Sequence, residues 1–144
     1  MSEQQTALKI QKGIRQVEDA IVIAIQKALD DCEYPKSGRD KLEESQFRNL
    51  VRVSDTTEST EVVKNFLRYQ VGRERKWGRG ENSLAEQIIQ DIDGPLRHAA
   101  QDIVTQVDRS SDPQAHKAVH MELIRRYLGY GARHLKYLNS EREG

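Results

Sequence analysis

The sequence predicts an all-α protein, a compact bundle of five or six helices forming a single domain over residues 1–144. Three observations predict it. Apolar residues recur at spacings of three and four along most of the chain, the repeat of one buried helix face. No stretch joins period-two alternation to β-branched enrichment, so no strand is expected. Proline and glycine fall where the periodic segments stop. A chain of 144 residues, 36% apolar and 32% charged, suits one domain with a modest core.

In the first element Ile10, Ile14, Val17, Ile21, Ala24 and Ala28 step along one face, which predicts a long helix over about residues 4–31, broken at "CEYPKSG". A second helix is expected from about Asp40 to Val53, burying Leu42, Phe47, Leu50 and Val51. Ser59 ahead of Val62 and Val63 reads as the start of a third, running through "TEVVKNFLRYQVGRERKW" to Gly78. A fourth starts near Ser83 and stops at Gly94-Pro95. A fifth carries Leu96, Ala99, Ala100, Ile103, Val104 and Val107, and "DRSSDPQ" is a turn. The sixth runs from about Pro113 to about Asn139.

Composition narrows the function classes. The single cysteine, Cys32, allows no internal disulfide and suits a cytoplasmic setting. The longest aliphatic run, "AIVIAI", is far too short to span a bilayer, so no membrane partner is expected. A formal net charge of zero argues against a free-standing nucleic-acid-coating protein but permits a local basic face. The stretch Lys64–Gly80, "KNFLRYQVGRERKWGRG", concentrates six bases against one acid around the only tryptophan.

On the third helix Val62, Val63, Phe66 and Tyr69 share an apolar sector, with Arg73 one turn further on, while Lys64, Arg68 and Arg75 lie on the other side. An arginine in line with a core requires a carboxylate, a phosphate or open solvent. On the sixth helix the sector opposite the apolar residues holds Arg125, Arg133, Lys136 and Gly129, with Glu122 the only acid within it. Gly129 there would let a phosphate strand approach the backbone, whereas Gly131 falls in the apolar sector and would let a neighbouring helix pack closely. A solvated basic face accounts equally for the cluster on the sixth helix, and a snorkelling Arg73, or one paired with an Asp or Glu at the edge of the core, for the third. His116, His120 and His134 sit on the apolar side, which suits core contacts better than a metal site. No P-loop and no catalytic spacing of nucleophile, base or carboxylate is present, so neither an enzyme nor a cofactor is expected.

Three stretches in order carry a resemblance: "SQFRNL" (Ser45–Leu50), "RYQVGR" (Arg68–Arg73) and "MELIRRYLGYGARHLKYL" (Met121–Leu138). They resemble the small subunit of type III CRISPR effector complexes, the Csm type especially, with its Ser-Gln-x-Arg helix, its Tyr-x-x-Gly-Arg-like helix and a closing helix with an aromatic and a lysine. The Cmr-type small subunit, also a helical bundle, is the other candidate subtype. The resemblance implies a non-catalytic subunit, copies of which stack along guide RNA and target RNA beside the backbone and large subunits. It carries RNA contact over to Gln46 and Arg48 of the first motif, Tyr69 and Arg73 of the second, and Lys136 near the end. Such a subunit must read phosphate and ignore bases, which suits arginine and lysine on a helical surface. The residues expected at RNA are therefore Gln46, Arg48, Lys64, Arg68, Tyr69, Arg73, Arg75, Arg125, Arg133 and Lys136. Ile23, an aliphatic on the polar side of the first helix, is the candidate contact between copies or with a backbone subunit. The competing class is a helical protein–protein adaptor with no direct role at nucleic acid.

Overall fold

The structure, a computed structural model, describes residues 2–107 and 112–143. Its elements in order are α1 (Glu3–Asp31), α2 (Glu44–Thr56), α3 (Thr60–Arg73), α4 (Leu84–Asp91), α5 (Arg97–Val107) and α6 (Pro113–Glu143), with no strand among the described residues. A capping box starts α1: Ser2 Oγ accepts from Gln5 N and Gln5 Oε1 from Ser2 N. The helix closes at Cys32, where Glu33 takes φ 66° and Tyr34 N reaches back to the Leu29 carbonyl, a Schellman-type ending.

Helix α2 begins at Glu44, later than the pattern suggested, because Glu43 and Gln46 form its capping box. Leu42 is fully buried but lies before the helix. Helix α3 ends at Arg73 rather than continuing towards Gly78. The Gln46–Glu74 hydrogen bond places the start of α2 level with the end of α3. Three more helical residues would carry Trp77 about 5 Å beyond that level, past the core. Instead the chain turns back, and the Trp77 ring, 1% exposed, packs 5.4 Å from that of Phe47. Gly78 makes the return possible, with φ +75° and no room for a Cβ, which would lie 2.8 Å from Ser83 Cβ.

The expected stop at Gly94-Pro95 is absent. Helices α4 and α5 are joined through a π-helical turn over Ile92–Leu96 with Pro95 inside it. A proline ring clashes with the carbonyl four residues back, and the wider turn relieves that clash without ending the rod. The turn expected at "DRSSDPQ" lies mainly at 108–111, outside the described residues. Asp112 is described: its carboxylate accepts from Gln114 N at 3.0 Å and its carbonyl from His116 N at 3.1 Å, which starts α6.

Helix α6 is the centre of the bundle, packed by α1, α2 and α5. Hydrogen bonds from Arg125 to Ser54 O and from Asn139 to Leu42 O show that α2 runs antiparallel to it. Burial therefore extends beyond one stripe. Met121, Leu123, Ile124, Tyr127, Leu128, Ala132 and Leu135 are all buried, including Ala132, which directly precedes the exposed Arg133. Gly131 sets the spacing as expected: a Cβ there would meet Phe47 Cζ at 2.6 Å and Ile25 Cγ1 at 2.8 Å. No helix is long and apolar enough to cross a membrane among the described residues.

Candidate nucleic-acid interface

The return of the chain after α3 creates the main charged feature of the molecule. Tyr34 is buried after α1 and donates its hydroxyl to the Lys76 carbonyl, while Lys76 Nζ donates to the Lys41 carbonyl at 3.2 Å. These bonds lock loop 74–83 against loop 33–43. Between them and the last turn of α3 lies an open groove of about 470 Å³. Lys36, Arg73, Arg75 and Arg79 supply its cations, Gly72 and Gly78 bare backbone, and Asp40 and Glu74 its carboxylates.

The cations are held in an unusual way. Lys36 Nζ sits 5.1 Å from the centroid of the Tyr34 ring, and the Arg73 guanidinium 5.5 Å from that of Tyr69. Arg79 donates to the Val71 carbonyl at 3.1 Å. All three are positioned by neutral partners, so their charge is oriented but not cancelled. Among the described residues only Arg75 of the groove cations has a carboxylate partner, with Nε 3.1 Å from Asp40 Oδ1. Glu74 is committed elsewhere, accepting from Gln46 Nε2 at 3.1 Å. Several pre-positioned guanidinium and ammonium groups over exposed backbone suit a phosphate oxyanion, which accepts from arginine in a bidentate manner.

The aromatic neighbours extend this surface. Tyr69 is 57% exposed and lies 6.3 Å from the Phe66 ring, nearly stacked. Val62 is also exposed, so the apolar sector expected of α3 divides: Val63 and Leu67 are buried, while Val62, Phe66, Tyr69 and Arg73 form a ridge beside them. Arg73 is accordingly exposed at the helix end rather than aimed into the core. Arg68 is exposed on the same helix.

Other residues expected at RNA have different surroundings. Lys64 is 9% exposed and its ammonium lies 2.6 Å from Glu61 and 2.9 Å from Asp93, which together raise its pKa. Arg125 closes the end of α2, donating to the Ser54 and Thr57 carbonyls and to Glu58 at 2.8 to 2.9 Å. Both side chains are engaged inside the bundle, where carboxylates and carbonyls of the chain itself satisfy them. Gln46 acts on the groove indirectly, by holding Glu74, and Arg48 pairs with Glu44 one turn back. Arg133, over the Tyr130 ring, and Lys136 are exposed on α6. Helix α2 packs against both α3 and α6.

One histidine, His120, behaves as a core group. His120 is 6% exposed with Nε2 2.7 Å from the Ile92 carbonyl, and burial pushes its pKa down. His134 meets Asp30 at 2.9 Å. Among the described residues no group of three or more His, Cys, Asp or Glu converges to hold a metal.

Two of the four groove cations, Lys36 and Arg79, were not among the residues expected from the sequence. Arg79 lay inside the basic stretch between two glycines, which was its signal. Lys36 had none, because hydrogen bonds between loops far apart in sequence, from Tyr34 to Lys76 O and from Lys76 to Lys41 O, bring its loop to the groove. Comparison with family models, curated proteins and solved structures found no match.

Proposed function

We propose that the chain is a non-catalytic, RNA-tracking small subunit of a type III CRISPR ribonucleoprotein effector, working in the cytoplasm. The observation that carries the proposal is the groove at the end of the "RYQVGR" helix, where Lys36, Arg73 and Arg79 are held by neutral partners and keep their charge for an anion. Guide RNA and target RNA are the proposed ligands, met through phosphates so that any sequence is accepted. A neutral chain binds weakly alone, and copies of it arrayed beside the backbone and large subunits gain by presenting several grooves to one strand. Ile23, 62% exposed on α1, is the proposed protein contact within that array.

The test is fluorescence anisotropy with two unrelated single-stranded RNAs across a salt series. Expected is a dissociation constant on the order of 10⁻⁴–10⁻⁶ M near physiological salt, equal for both sequences, with log affinity falling by roughly 0.7 per phosphate contact against log salt. Binding that ignores salt, or that prefers one sequence strongly, contradicts the proposal. A second reading, a protein–protein adaptor, is favoured by the ridge on α3 in which Val62 and Tyr69 are exposed and Phe66 half-buried. Under that reading a Tyr69→Ala change abolishes partner capture and leaves RNA retention untouched.

A further inference from the structure

The carboxylate of Asp40 stands out within the groove. It ends a short 3₁₀ turn, Gly38–Asp40, and makes its ion pair through a single Nε–Oδ1 contact of 3.1 Å. Both partners are well exposed, Arg75 at 69% and Asp40 at 42% of the side chain. An exposed pair of this kind contributes little to folding. The loops here are held by other bonds, from the Tyr34 hydroxyl to Lys76 O and from Lys76 to Lys41 O. The second carboxylate of the groove, Glu74, is turned to Gln46. Among the described residues Asp40 is therefore the acid ion-paired with a groove cation, while Glu74, held by a neutral amide, keeps its charge beside them.

We propose that the groove is a phosphate-oxyanion site in which Asp40 is a tethered competitor, holding Arg75 until an incoming phosphate displaces it. The inference rests on the reading of this groove as the RNA-facing surface, and it specifies how that surface is tuned. A phosphate offers Arg75 two parallel hydrogen bonds in place of the single contact from Asp40, so exchange favours the ligand. The tethered carboxylate is always present at high local concentration, so isolated phosphates exchange poorly. A strand that also engages Arg73, Arg79 and Lys36 wins through the sum of its contacts. The device keeps one copy weak and reserves tight binding for a polyanion.

The experiment compares the full chain with Asp40→Asn, Asp40→Ser, Arg75→Gln and the double variant Asp40→Asn/Arg75→Gln. Two probes separate the sources of phosphate: inorganic phosphate, and a single-stranded RNA lacking terminal phosphates. RNA affinity is read by anisotropy at fixed salt, and phosphate binding as a rise in melting temperature over chloride of equal ionic strength. Freeing the Arg75 guanidinium from its exposed carboxylate partner should tighten RNA binding about fivefold in both Asp40 variants. That gain should vanish when Arg75 is already Gln, and the melting temperature in chloride should stay unchanged. RNA binding by the natural chain with no gain in either Asp40 variant overturns the competitor role and leaves the RNA reading standing. A gain that persists in the Arg75→Gln background overturns it too, because the effect would then not pass through that guanidinium. Phosphate binding enhanced in the Asp40 variants, with no RNA binding by any form, upholds the oxyanion site and refutes the RNA reading.

Discussion

Two glycines on α6, two residues apart, are predicted to respond oppositely to the same substitution. A Cβ on Gly131 would lie 2.6 Å from Phe47 Cζ and 2.8 Å from Ile25 Cγ1, both inside van der Waals contact. Neither neighbour can yield: Phe47 and Ile25 are 0% exposed, and Phe47 is backed by the Trp77 ring at 5.4 Å. Overpacking of this kind costs about 1–3 kcal/mol, against which alanine recovers about 1 kcal/mol of helix propensity. Gly131→Ala should therefore destabilise by up to about 2 kcal/mol, a fall of up to roughly 7 °C in melting temperature for a chain of this size. A Cβ on Gly129 meets nothing within 4 Å. Gly129→Ala should stabilise by about 0.5–1 kcal/mol, because only the backbone term remains. Thermal and urea unfolding followed by helix circular dichroism measure both. Equal stabilisation by the two substitutions would refute the close α2–α6 and α1–α6 packing on which the fold rests.

Further outcomes follow from named contacts. Arg125→Ala leaves the Ser54 and Thr57 carbonyls without their donor and should destabilise by about 1–3 kcal/mol in urea unfolding while RNA affinity stays the same; a loss of RNA affinity without loss of stability would contradict its structural role. Burial holds the His120 pKa below its unfolded value, helped by His116 and Arg97 and opposed by the Ile92 carbonyl and Asp93. The neutral ring therefore contributes stability that is present above the unfolded pKa of about 6.5 and lost as pH falls below it. His120→Gln should flatten the decline in melting temperature between about pH 7.5 and about pH 5, and an unchanged slope would count against this.

The helices were legible in the sequence because their apolar spacing is local information. Their ends were less so where tertiary contacts decide. The composition of "GRERKW" fits a helix, and only the meeting of Trp77 with Phe47, thirty residues earlier, turns the chain away. Pro95 reads as a breaker, yet a π turn absorbs it because Leu96 and Ala100 still have a core to enter. The wheel of α6 assumed one buried side, whereas a helix packed by three others buries Ala132 and engages Arg125 as well. Of the groove, Arg73 and Arg75 could be named in advance because they fall in the basic stretch at the end of α3, Arg73 in line with its apolar sector. Lys36 and Asp40 could not, since hydrogen bonds between loops far apart in sequence bring them there.

The central claim is that the groove at the end of α3 presents free positive charge to RNA phosphate. The most direct measurement takes one variant, Arg73→Glu, and reads RNA retention by the assembled complex across salt together with melting temperature. Arg73 is exposed and braced only by the Tyr69 ring among the described residues, so the fold should be unaffected. Loss of a charge-assisted hydrogen bond worth about 1.5–3 kcal/mol should weaken RNA binding by about tenfold or more and lower the salt slope by roughly 0.7. A lowered melting temperature with unchanged RNA retention and unchanged salt slope would contradict the account.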